Sequence, residues 1–344
     1  MDSEDIIGFD ALYRSMRKCQ KGVLWKDSVA HYVLHGLEET LKLEEELKQG
    51  TYKARKTHKF IVTAPKRREI ISVAFRDRVY QRSLNDNALY PEMTKSFIRD
   101  NWACQKGKGT QDARERMKVF LRRMHRKYGK DFYGLQIDIH NYYGSMQHKT
   151  VNRQLEKKLD AEIARRVIEV LDGQYSGETG YNPGSQMVQI VGISFLNDLD
   201  HRIVETMGTD EFGRYMDDSI LFSDSIECLE KCEVEIGRVL TENGLTYNPK
   251  KTHIFSMHKG FDLLGFHFWI TGTGKVVMTV LSKNVKAERK KLQRMVNKCK
   301  RGEITRKSVY DSYASWRAHA EQGDSHNLIK RMDQYLKSLW EGTC

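Results

Sequence analysis

The sequence predicts an α+β protein in which a small antiparallel sheet lies among amphipathic helices. Two short apolar runs, Phe212–Met216 and Ser219–Phe222, flank a pair of aspartates and predict a tight β-hairpin. Residues 132–139 alternate with the period of a strand. Apolar residues recur at helical spacing in 28–48 and 226–240, which predicts helices there. With 344 residues, the chain is long enough for two or three subdomains around sizeable cores.

The first long helix is predicted at residues 28–48, and Gly50 is expected to end it. Its apolar face is expected to consist of residues at helical spacing: Val33, Leu34, Leu37, Leu41, Leu43 and Leu47.

A basic hairpin is predicted next. Strands around Phe60–Thr63 and Glu69–Ser72 flank a short run of cations. Such a tip suits a triphosphate, with Lys66 acting as a point charge and Arg68 as a bidentate fork. The alternative is a basic hairpin that is merely solvated.

Two further basic segments follow. Arg76 and Arg78 open the next predicted helix and are expected to face the phosphates of a nucleic-acid template. Lys106 and Lys108 alternate with glycines ahead of a basic helix at 111–128. Backbone and cations before a helix N-terminus suit phosphate, although the spacing is not that of a Walker loop.

Three aspartates are candidate metal ligands. Asp217 and Asp218 occupy the predicted hairpin tip, and like charges about 4 Å apart repel by roughly 4 kcal/mol at an effective dielectric of 20. A cation relieves this repulsion, and carboxylate oxygens suit Mg²⁺. An isolated Asp-Asp pair is more often a solvated turn, but Asp138, near the end of the 132–139 strand, adds a third carboxylate. Two ions held by this set would form a phosphoryl-transfer site, one activating a primer 3′-hydroxyl and one holding a triphosphate.

The charge balance favours a nucleic-acid partner. The formal net charge is +12, and basic residues cluster in 53–82, 114–126 and 283–307. No apolar run reaches the 18 or so residues that a membrane span requires, and no signal-peptide pattern is present, so we expect a cytoplasmic protein. The six cysteines show no metal or disulfide framework.

The C-terminal part is predicted to be a group of basic helices. Residues 283–301 are too charged for a core helix, and Lys290 and Arg294 on its face are expected to contact backbone phosphates. Tyr310, Tyr313 and Trp316 recur at spacing three, and this aromatic stripe favours packing between helices over base stacking.

These motifs occur in the order found in reverse transcriptases. Asp138 with Tyr142-Tyr143 resembles that family's first palm motif, and Tyr215-Met216-Asp217-Asp218 its metal-binding hairpin. Four more segments resemble the fingers motif, the template- and nucleotide-contacting motif, the lysine motif and the primer grip: 65–70, 180–200, 248–252 and 261–266. Residues 97–110 resemble a segment of bacterial retroelement enzymes. Segments 312–319 and 327–333 resemble the diversity-generating group most closely.

The resemblance implies roles for matched residues near Asp138. Tyr143, five residues later, is the steric gate whose ring excludes ribonucleotides. We expect one of Tyr142 and Tyr143 to be core, since strand neighbours point to opposite faces. Ile139 is included among the metal and nucleotide contacts. Lys251 either protonates the leaving pyrophosphate as a general acid or only contacts phosphate.

The motif after Gly180 leaves one assignment open. Gly184 lets the backbone approach a nucleotide closely. Gln189 falls in the register where diversity-generating enzymes place a glutamine after a serine, but Val188 precedes it here. The literal serine–glutamine pair ends at Gln186, three residues earlier, so either glutamine is a candidate. The expected nucleic-acid contacts of the whole chain are Arg76, Arg78, Lys106, Lys108, Leu264, Gly265, Lys290 and Arg294.

The resemblance implies a right-hand polymerase with fingers (1–130), palm (131–272) and thumb (273–344). The implied activity is RNA-directed DNA synthesis from a cognate RNA, using dNTPs and two Mg²⁺ ions, for which Mn²⁺ substitutes. Implied partners are the template RNA, the RNA–DNA heteroduplex and a small basic accessory protein. One alternative is a retron-like or phage-defence reverse transcriptase that acts in antiviral defence with its own noncoding RNA. The other is a non-catalytic RNA-binding maturase, against which the three aspartates argue.

Overall fold

The computed structural model describes residues 4–63, 67–209 and 211–342, apart from the side chain of Arg68. Helices dominate the sequence at both ends. In chain order they are α1 Glu4–Ile7, α2 Phe9–Cys19, α3 Asp27–Leu34, α4 Gly36–Lys48, α5 Phe75–Leu84, α6 Tyr90–Thr94, α7 Thr110–Tyr128, α8 Tyr142–Ser145, α9 His148–Lys158, α10 Ala161–Gln174, α11 Gln186–Phe195, α12 Asn197–Thr206, α13 Ile226–Glu242, α14 Ser282–Lys300, α15 Arg306–Ala320 and α16 His326–Glu341. A π-helical turn, Asn85–Leu89, joins α5 to α6.

The strands form small sheets. They are β1 His58–Val62, β2 Arg68–Ser72, β3 Tyr133–Asp138, β4 Glu211–Tyr215, β5 Asp218–Ser223, β6 His253–Ser256, β7 Phe261–Leu263, β8 Phe266–Ile270 and β9 Val276–Val280. The strand orders are β1-β2, β4-β5-β3-β6 and β7-β8-β9. The β1–β2, β7–β8 and β8–β9 pairs are antiparallel. The predicted α+β class is confirmed.

The chain divides into two compact units. The first comprises Met1–Ala113, Gln136–Ile220 and Glu230–His253, and the second Arg114–Leu135, Leu221–Leu229 and Ile254–Cys344. The predicted boundaries of fingers, palm and thumb remain predictions. Within the described ranges, no helix has the length and apolar content needed to cross a lipid bilayer.

The helix predicted at 28–48 is two helices. His35 breaks it with φ −102° and ψ 27°, which separates α3 from α4. Leu43 and Leu47 of the predicted face are buried, whereas Leu34, Leu37 and Leu41 are 79%, 61% and 53% exposed. The prediction of one continuous apolar face was wrong, because the break changes the phase of the helical repeat.

The buried centre of the first unit includes α11. Its N-cap is Ser185, whose hydroxyl accepts a hydrogen bond from the Val188 amide at 3.2 Å. Most of its residues are buried, as expected of a helix that is apolar on all sides. Leu196 (φ −105°, ψ 12°) separates α11 from α12.

The predicted hairpin around the aspartate pair is confirmed. β4 and β5 are sheet neighbours joined by a two-residue turn, Met216 and Asp217. Met216 adopts a left-handed conformation with φ 58°. A Cβ on Gly213 would lie 2.0 Å from the Trp102 ring, so the strand needs glycine there to pack against that ring.

The second unit has an aromatic cluster and a helical core. Phe222, Phe255 and Phe268 each contact the ring of Phe261. The three C-terminal helices bury a core of aliphatic and aromatic side chains: Leu292, Val296, Val309, Tyr313, Met332 and Leu336. Tyr313 therefore packs between helices, as its spacing predicted.

Candidate active site

Three carboxylates occupy one end of the four-stranded sheet. Asp138 ends β3, and Asp218 begins the neighbouring strand β5. Asp217 ends the turn before Asp218, and its carbonyl accepts a hydrogen bond from the Ile139 amide at 3.3 Å. The sheet therefore brings residues 138 and 217–218 together, although about eighty positions separate them in sequence.

The Asp138 carboxylate is held on both oxygens. Asn248 Nδ2 donates to Oδ1 at 3.1 Å, and Lys251 Nζ donates to Oδ2 at 2.6 Å. The Asn248 amide also donates to the Asp138 carbonyl at 2.7 Å. Asn248 therefore positions the Asp138 carboxylate, a role that was not predicted from the sequence. The only sequence feature that points to this role is the place of Asn248 at the start of the lysine motif.

The charges of this cluster are unbalanced. Burial, followed by the charges of Asp217 and Asp138, raises the pKa of Asp218 to about 6, although Lys251 opposes this effect. The hydrogen bond to Asp138 raises the pKa of the Lys251 ammonium. Lys251 thus stays charged, and one ammonium faces three carboxylates.

The carboxylate oxygens of Asp138, Asp217 and Asp218 suit a hard divalent cation both in atom type and in charge. Carboxylate oxygens are the ligands that Mg²⁺ prefers. Burial raises the pKa of Asp218 most, and the negative charges of Asp217 and Asp138, which add to this effect, are ones that a cation would neutralise. In the described part of the chain, no three His, Cys, Asp or Glu side chains are grouped so that they could already hold a metal ion. Asp138 is meanwhile neutralised by Lys251.

Tyr142 and Tyr143 differ in burial as predicted, but they lie on the helical turn α8 rather than on a strand. Tyr142 is 3% exposed, and its hydroxyl donates to the Gly192 carbonyl at 2.5 Å. Tyr143 is half-buried, and its hydroxyl contacts Met216 Sδ at 3.4 Å. Burial raises the pKa of both phenols, so both remain protonated.

A buried ion pair supports the hairpin turn. Arg214 Nε and Nη2 donate to the two carboxylate oxygens of Asp200 at 2.7 and 2.6 Å, and both side chains are 1% exposed. Nη1 donates to the Met216 carbonyl at 2.9 Å, and Nη2 also donates to the Ile193 carbonyl at 2.8 Å. This guanidinium therefore connects α11, α12 and the turn that carries the aspartates.

The loop before α11 presents the two candidate glutamines differently. Gln186 is exposed, whereas Gln189 is half-buried and its Nε2 donates to the Pro183 carbonyl at 2.9 Å. The Gly184 amide donates to Asn182 Oδ1 at 3.2 Å. Asn182 Nδ2 in turn donates to the Glu69 carbonyl at 2.6 Å, which ties this loop to β2.

The predicted basic hairpin is present as β1 and β2, whose register pairs Val62 with Arg68. Lys66 lies outside the described residues, and so does the side chain of Arg68. Their contacts to a triphosphate remain predictions.

Arg76 has partners within the fold. Its side chain is buried, forms an ion pair with Glu46 and stacks 5.2 Å from the centre of the Tyr52 ring. This guanidinium is engaged in holding α5 against α4, and its predicted phosphate contact remains a prediction. Arg78 is half-buried, and its predicted contact remains untested.

Lys108 is also engaged within the fold, and its predicted phosphate contact stays a prediction. Its ammonium donates to the carbonyls of Ile98, Arg99 and Asn101 at 3.5, 2.9 and 3.0 Å, which occupies its three hydrogens. Burial lowers its pKa. Lys106 is exposed, and its Nζ lies 5.3 Å from the centre of the Tyr90 ring, so its predicted contact stays a prediction.

In the second unit, Leu264 and Gly265 form the turn between β7 and β8 with φ 47° and 88°. The Gly265 carbonyl accepts from the Leu281 amide at 3.3 Å. Lys290 and Arg294 are exposed on α14, one turn apart. Contacts of these residues with nucleic acid remain predictions.

Comparison with known proteins identifies the family. A family model described as reverse transcriptase (RNA-dependent DNA polymerase) matches residues 13–268. No curated protein sequence matches this one.

Similar solved structures come from yeast telomerases. Telomerase from Candida albicans in complex with a TWJ fragment of telomeric RNA has a TM-score of 0.50 and 11% identity, covering 77% of this chain and 55% of that one. Apo telomerase from Candida tropicalis, truncated from its C-terminal domain, has a TM-score of 0.49 and 12% identity, covering 70% and 60%. This chain thus spans 55% to 60% of those two chains.

At 11% identity, the likeness to the Candida albicans structure concerns the fold alone. The predicted right-hand polymerase fold is confirmed by the family match and by the mixed helix-and-sheet architecture. Since the family model covers most of the sequence, the chain belongs to the reverse transcriptase (RNA-dependent DNA polymerase) family.

Proposed function

We propose that this chain is an RNA-directed DNA polymerase that extends a primer 3′-hydroxyl with deoxynucleotides on an RNA template. The observation that carries the proposal is the meeting of Asp138, Asp217 and Asp218 at the ends of neighbouring strands. The raised pKa of Asp218 supports it, since burial and the neighbouring charges of Asp217 and Asp138 both disfavour the ionised carboxylate, and a divalent cation would relieve this. A protein that only binds RNA has no need of negative charge facing phosphates.

The three carboxylates, with the backbone of Ile139, would hold two Mg²⁺ ions. When bound, such ions lower the pKa of the attacking hydroxyl and neutralise the leaving pyrophosphate. Asn248 fixes the rotamer of Asp138 by donating to Oδ1 at 3.1 Å. Arg214 fixes the turn that carries Asp217 by donating to the Met216 carbonyl at 2.9 Å.

Lys251 has two successive roles in this proposal. Its ammonium neutralises Asp138 at 2.6 Å while the site awaits substrate. As a general acid for the leaving pyrophosphate, it first has to leave that carboxylate, because the pair raises its pKa and makes it a weaker acid.

Extension of a DNA primer on RNA and on DNA templates, with Mg²⁺ and dNTPs, tests the proposal. We expect extension on RNA that stops when the ions are chelated. Asp217→Asn should reduce the rate by a hundredfold or more, since it removes a charged ligand while keeping the shape of the side chain.

Asp224→Asn is the matched control, because Asp224 is exposed shortly after β5. We expect this variant to keep the full rate. Equal rates for the two variants, or no extension by the natural chain on any template, would refute the catalytic assignment.

We further propose that the cognate RNA belongs to a diversity-generating retroelement and that a small basic protein accompanies the enzyme. The resemblance of segments 312–319 and 327–333 to that group supports this reading. A pair of repeats near the gene that differ at adenines would favour it. A neighbouring toxin or effector gene would favour phage defence instead.

A further inference from the structure

Gly192 lies in α11 directly against the ring of Tyr143. A Cβ built on this glycine would lie 2.5 Å from Tyr143 Cε1, 2.7 Å from the hydroxyl oxygen and 2.8 Å from Cζ. Carbon atoms in ordinary contact are about 3.5 to 4.0 Å apart. The hydroxyl edge of the ring therefore fills the space that any other residue at position 192 would need for its side chain.

The same glycine also anchors the neighbouring tyrosine. Its carbonyl accepts the Tyr142 hydroxyl at 2.5 Å, and the two tyrosine rings meet edge to face with centroids 5.3 Å apart. α8 is thus fixed to α11 at Gly192. The carbonyl of this residue accepts a hydrogen bond from α8, and the absence of a side chain leaves room for the Tyr143 ring.

The hydroxyl end of the Tyr143 ring also reaches the hairpin turn. The Tyr143 hydroxyl lies 3.4 Å from Met216 Sδ, in the residue that precedes the two aspartates. The ring is therefore held between the Gly192 backbone, the Tyr142 ring and Met216. A ring enclosed in this way has a single defined position, which a size filter for a sugar requires.

We propose that Gly192 is a specificity-determining positioning residue, whose bare Cα seats the Tyr143 ring and sets how far it reaches toward the sugar of the incoming nucleotide. The inference rests on the proposed function, in which Tyr143 excludes the ribose 2′-hydroxyl. The substrate concerned is a 2′-deoxynucleoside triphosphate.

A methyl group at position 192 forces the ring to move by about 1 Å to regain an ordinary contact distance. The movement is away from α11, and it narrows the space for the deoxyribose. Misplacement by about 1 Å is enough to affect catalysis by up to about a hundredfold. For Gly192→Ala we expect the KM for dNTPs to rise about tenfold or more, with a smaller change in kcat and no gain in ribonucleotide use.

Single-nucleotide incorporation by Gly192→Ala, Tyr143→Val and the double variant tests this coupling. Tyr143→Val alone should admit ribonucleotides. In that background, Gly192→Ala should change the KM for dNTPs by less than about twofold, because no ring remains to be displaced. Gly173→Ala in α10 is the matched control, because a Cβ at this position meets no atom within 4 Å. The KM of this variant for dNTPs should equal that of the natural chain.

An unchanged KM in Gly192→Ala, or the same rise with and without the Tyr143 ring, would overturn the inference. If Gly192→Ala alone does not fold, restoration of folding by Tyr143→Val supports the steric contact, and failure to restore it counts against the contact. Polymerisation by the natural chain, combined with a Tyr143→Val variant that still rejects ribonucleotides, overturns the gate role and this inference but not the polymerase assignment. A natural chain that does not polymerise at all overturns the proposed function.

Discussion

Asp218 is a half-buried carboxylate that the fold tolerates at a cost in stability. Its pKa is raised to about 6 by burial and by two neighbouring carboxylates, from a reference value of 3.8. The native state therefore binds this proton more tightly than the unfolded chain does. Stability falls as pH rises from about 4 to about 6, and the full penalty is present above pH 6.

Asp218→Asn should therefore stabilise the metal-free protein at pH 8. The difference between the native pKa of about 6 and the reference value of 3.8 corresponds to about 1 to 3 kcal/mol, which is a rise of a few degrees in Tm. At pH 4.5 the gain should be much smaller, since the native aspartate is largely protonated. Thermal unfolding in a chelating buffer at the two pH values measures the difference.

Asp224→Asn serves as control and should change Tm little at either pH, since its carboxylate is exposed. A gain for Asp218→Asn that is the same at both pH values, or a loss at pH 8, would contradict the electrostatic origin of the effect.

At the residue scale, the sequence indicated the aspartates but not the partners that two of the cations have within the fold. Asp138 and Asp217 stand out because their strand and hairpin are defined by local patterns. The burial of Arg76 depends on Glu46, thirty positions away, and that of Lys108 depends on backbone carbonyls. Side-chain partners of this kind have no local pattern, so both residues looked like free cations.

At the scale of elements, Arg214 joins two helices to the hairpin that carries Asp217 and Asp218. Its guanidinium serves Asp200 and two backbone carbonyls in a site that is almost fully buried. Removing one partner of a buried pair leaves the other charge uncompensated, whereas replacing both with apolar residues often preserves stability. The effect of Arg214 on the stability of the protein can therefore be separated from its effect on the position of the Met216 turn.

Arg214→Met should destabilise the protein by about 3 to 5 kcal/mol, because Asp200 is left buried and charged. The double variant Arg214→Met with Asp200→Leu should recover much of this loss. The rate of primer extension by the double variant should remain about a hundredfold below that of the natural chain. The Met216 carbonyl has lost its hydrogen-bond donor, so the turn is no longer held in position. Urea unfolding and primer extension measure the two effects.

Arg202→Met is the matched control, because the Arg202–Glu235 pair has its guanidinium 52% exposed. It should cost less than about 1 kcal/mol. Full recovery of both stability and rate in the double variant would show that the guanidinium has no positioning role.

Strands and the hairpin were easier to predict than the ends of helices. The hairpin was predicted from the two aspartates between apolar runs, and its two-residue turn lies one position earlier than that pair, at Met216 and Asp217. The break at His35 is followed directly by Gly36, a residue of weak helix propensity, and the helical periodicity of the apolar residues ran through this local signal. At Leu196, no adjacent proline or glycine marks the end of α11.

At the scale of the whole molecule, the net charge of +12 is the dominant long-range property. Helix α14 concentrates part of it, with Lys290 and Arg294 exposed one turn apart. Neutralising backbone phosphates releases counterions, so binding weakens with salt in proportion to the number of phosphate contacts.

Lys290→Gln combined with Arg294→Gln should lower the slope of log Kd against log salt by about 1 to 2 for a primer–template duplex. Tm should not change, because both side chains are exposed. Fluorescence anisotropy over a salt series measures the slope. Lys337→Gln, whose side chain on α16 is 76% exposed, is the control. An unaltered slope in the double variant would show that the duplex does not contact the side chains of Lys290 and Arg294.

The fold class could be predicted because ordered motifs and local periodicities agree along the chain. The close packing around α11 could not be predicted, because it depends on the contact of Gly192 with Tyr143, forty-nine positions away in sequence. The path of nucleic acid beside β7, β8 and α14 depends on a ligand and stays a prediction.

Under the proposed two-ion mechanism, the Lys251–Asp138 pair would be an internal placeholder for a divalent ion. With the ions removed by a chelator, one carboxylate at the sheet edge would stay neutralised. Rebinding would then be an exchange, in which an arriving ion displaces an ammonium that is already seated.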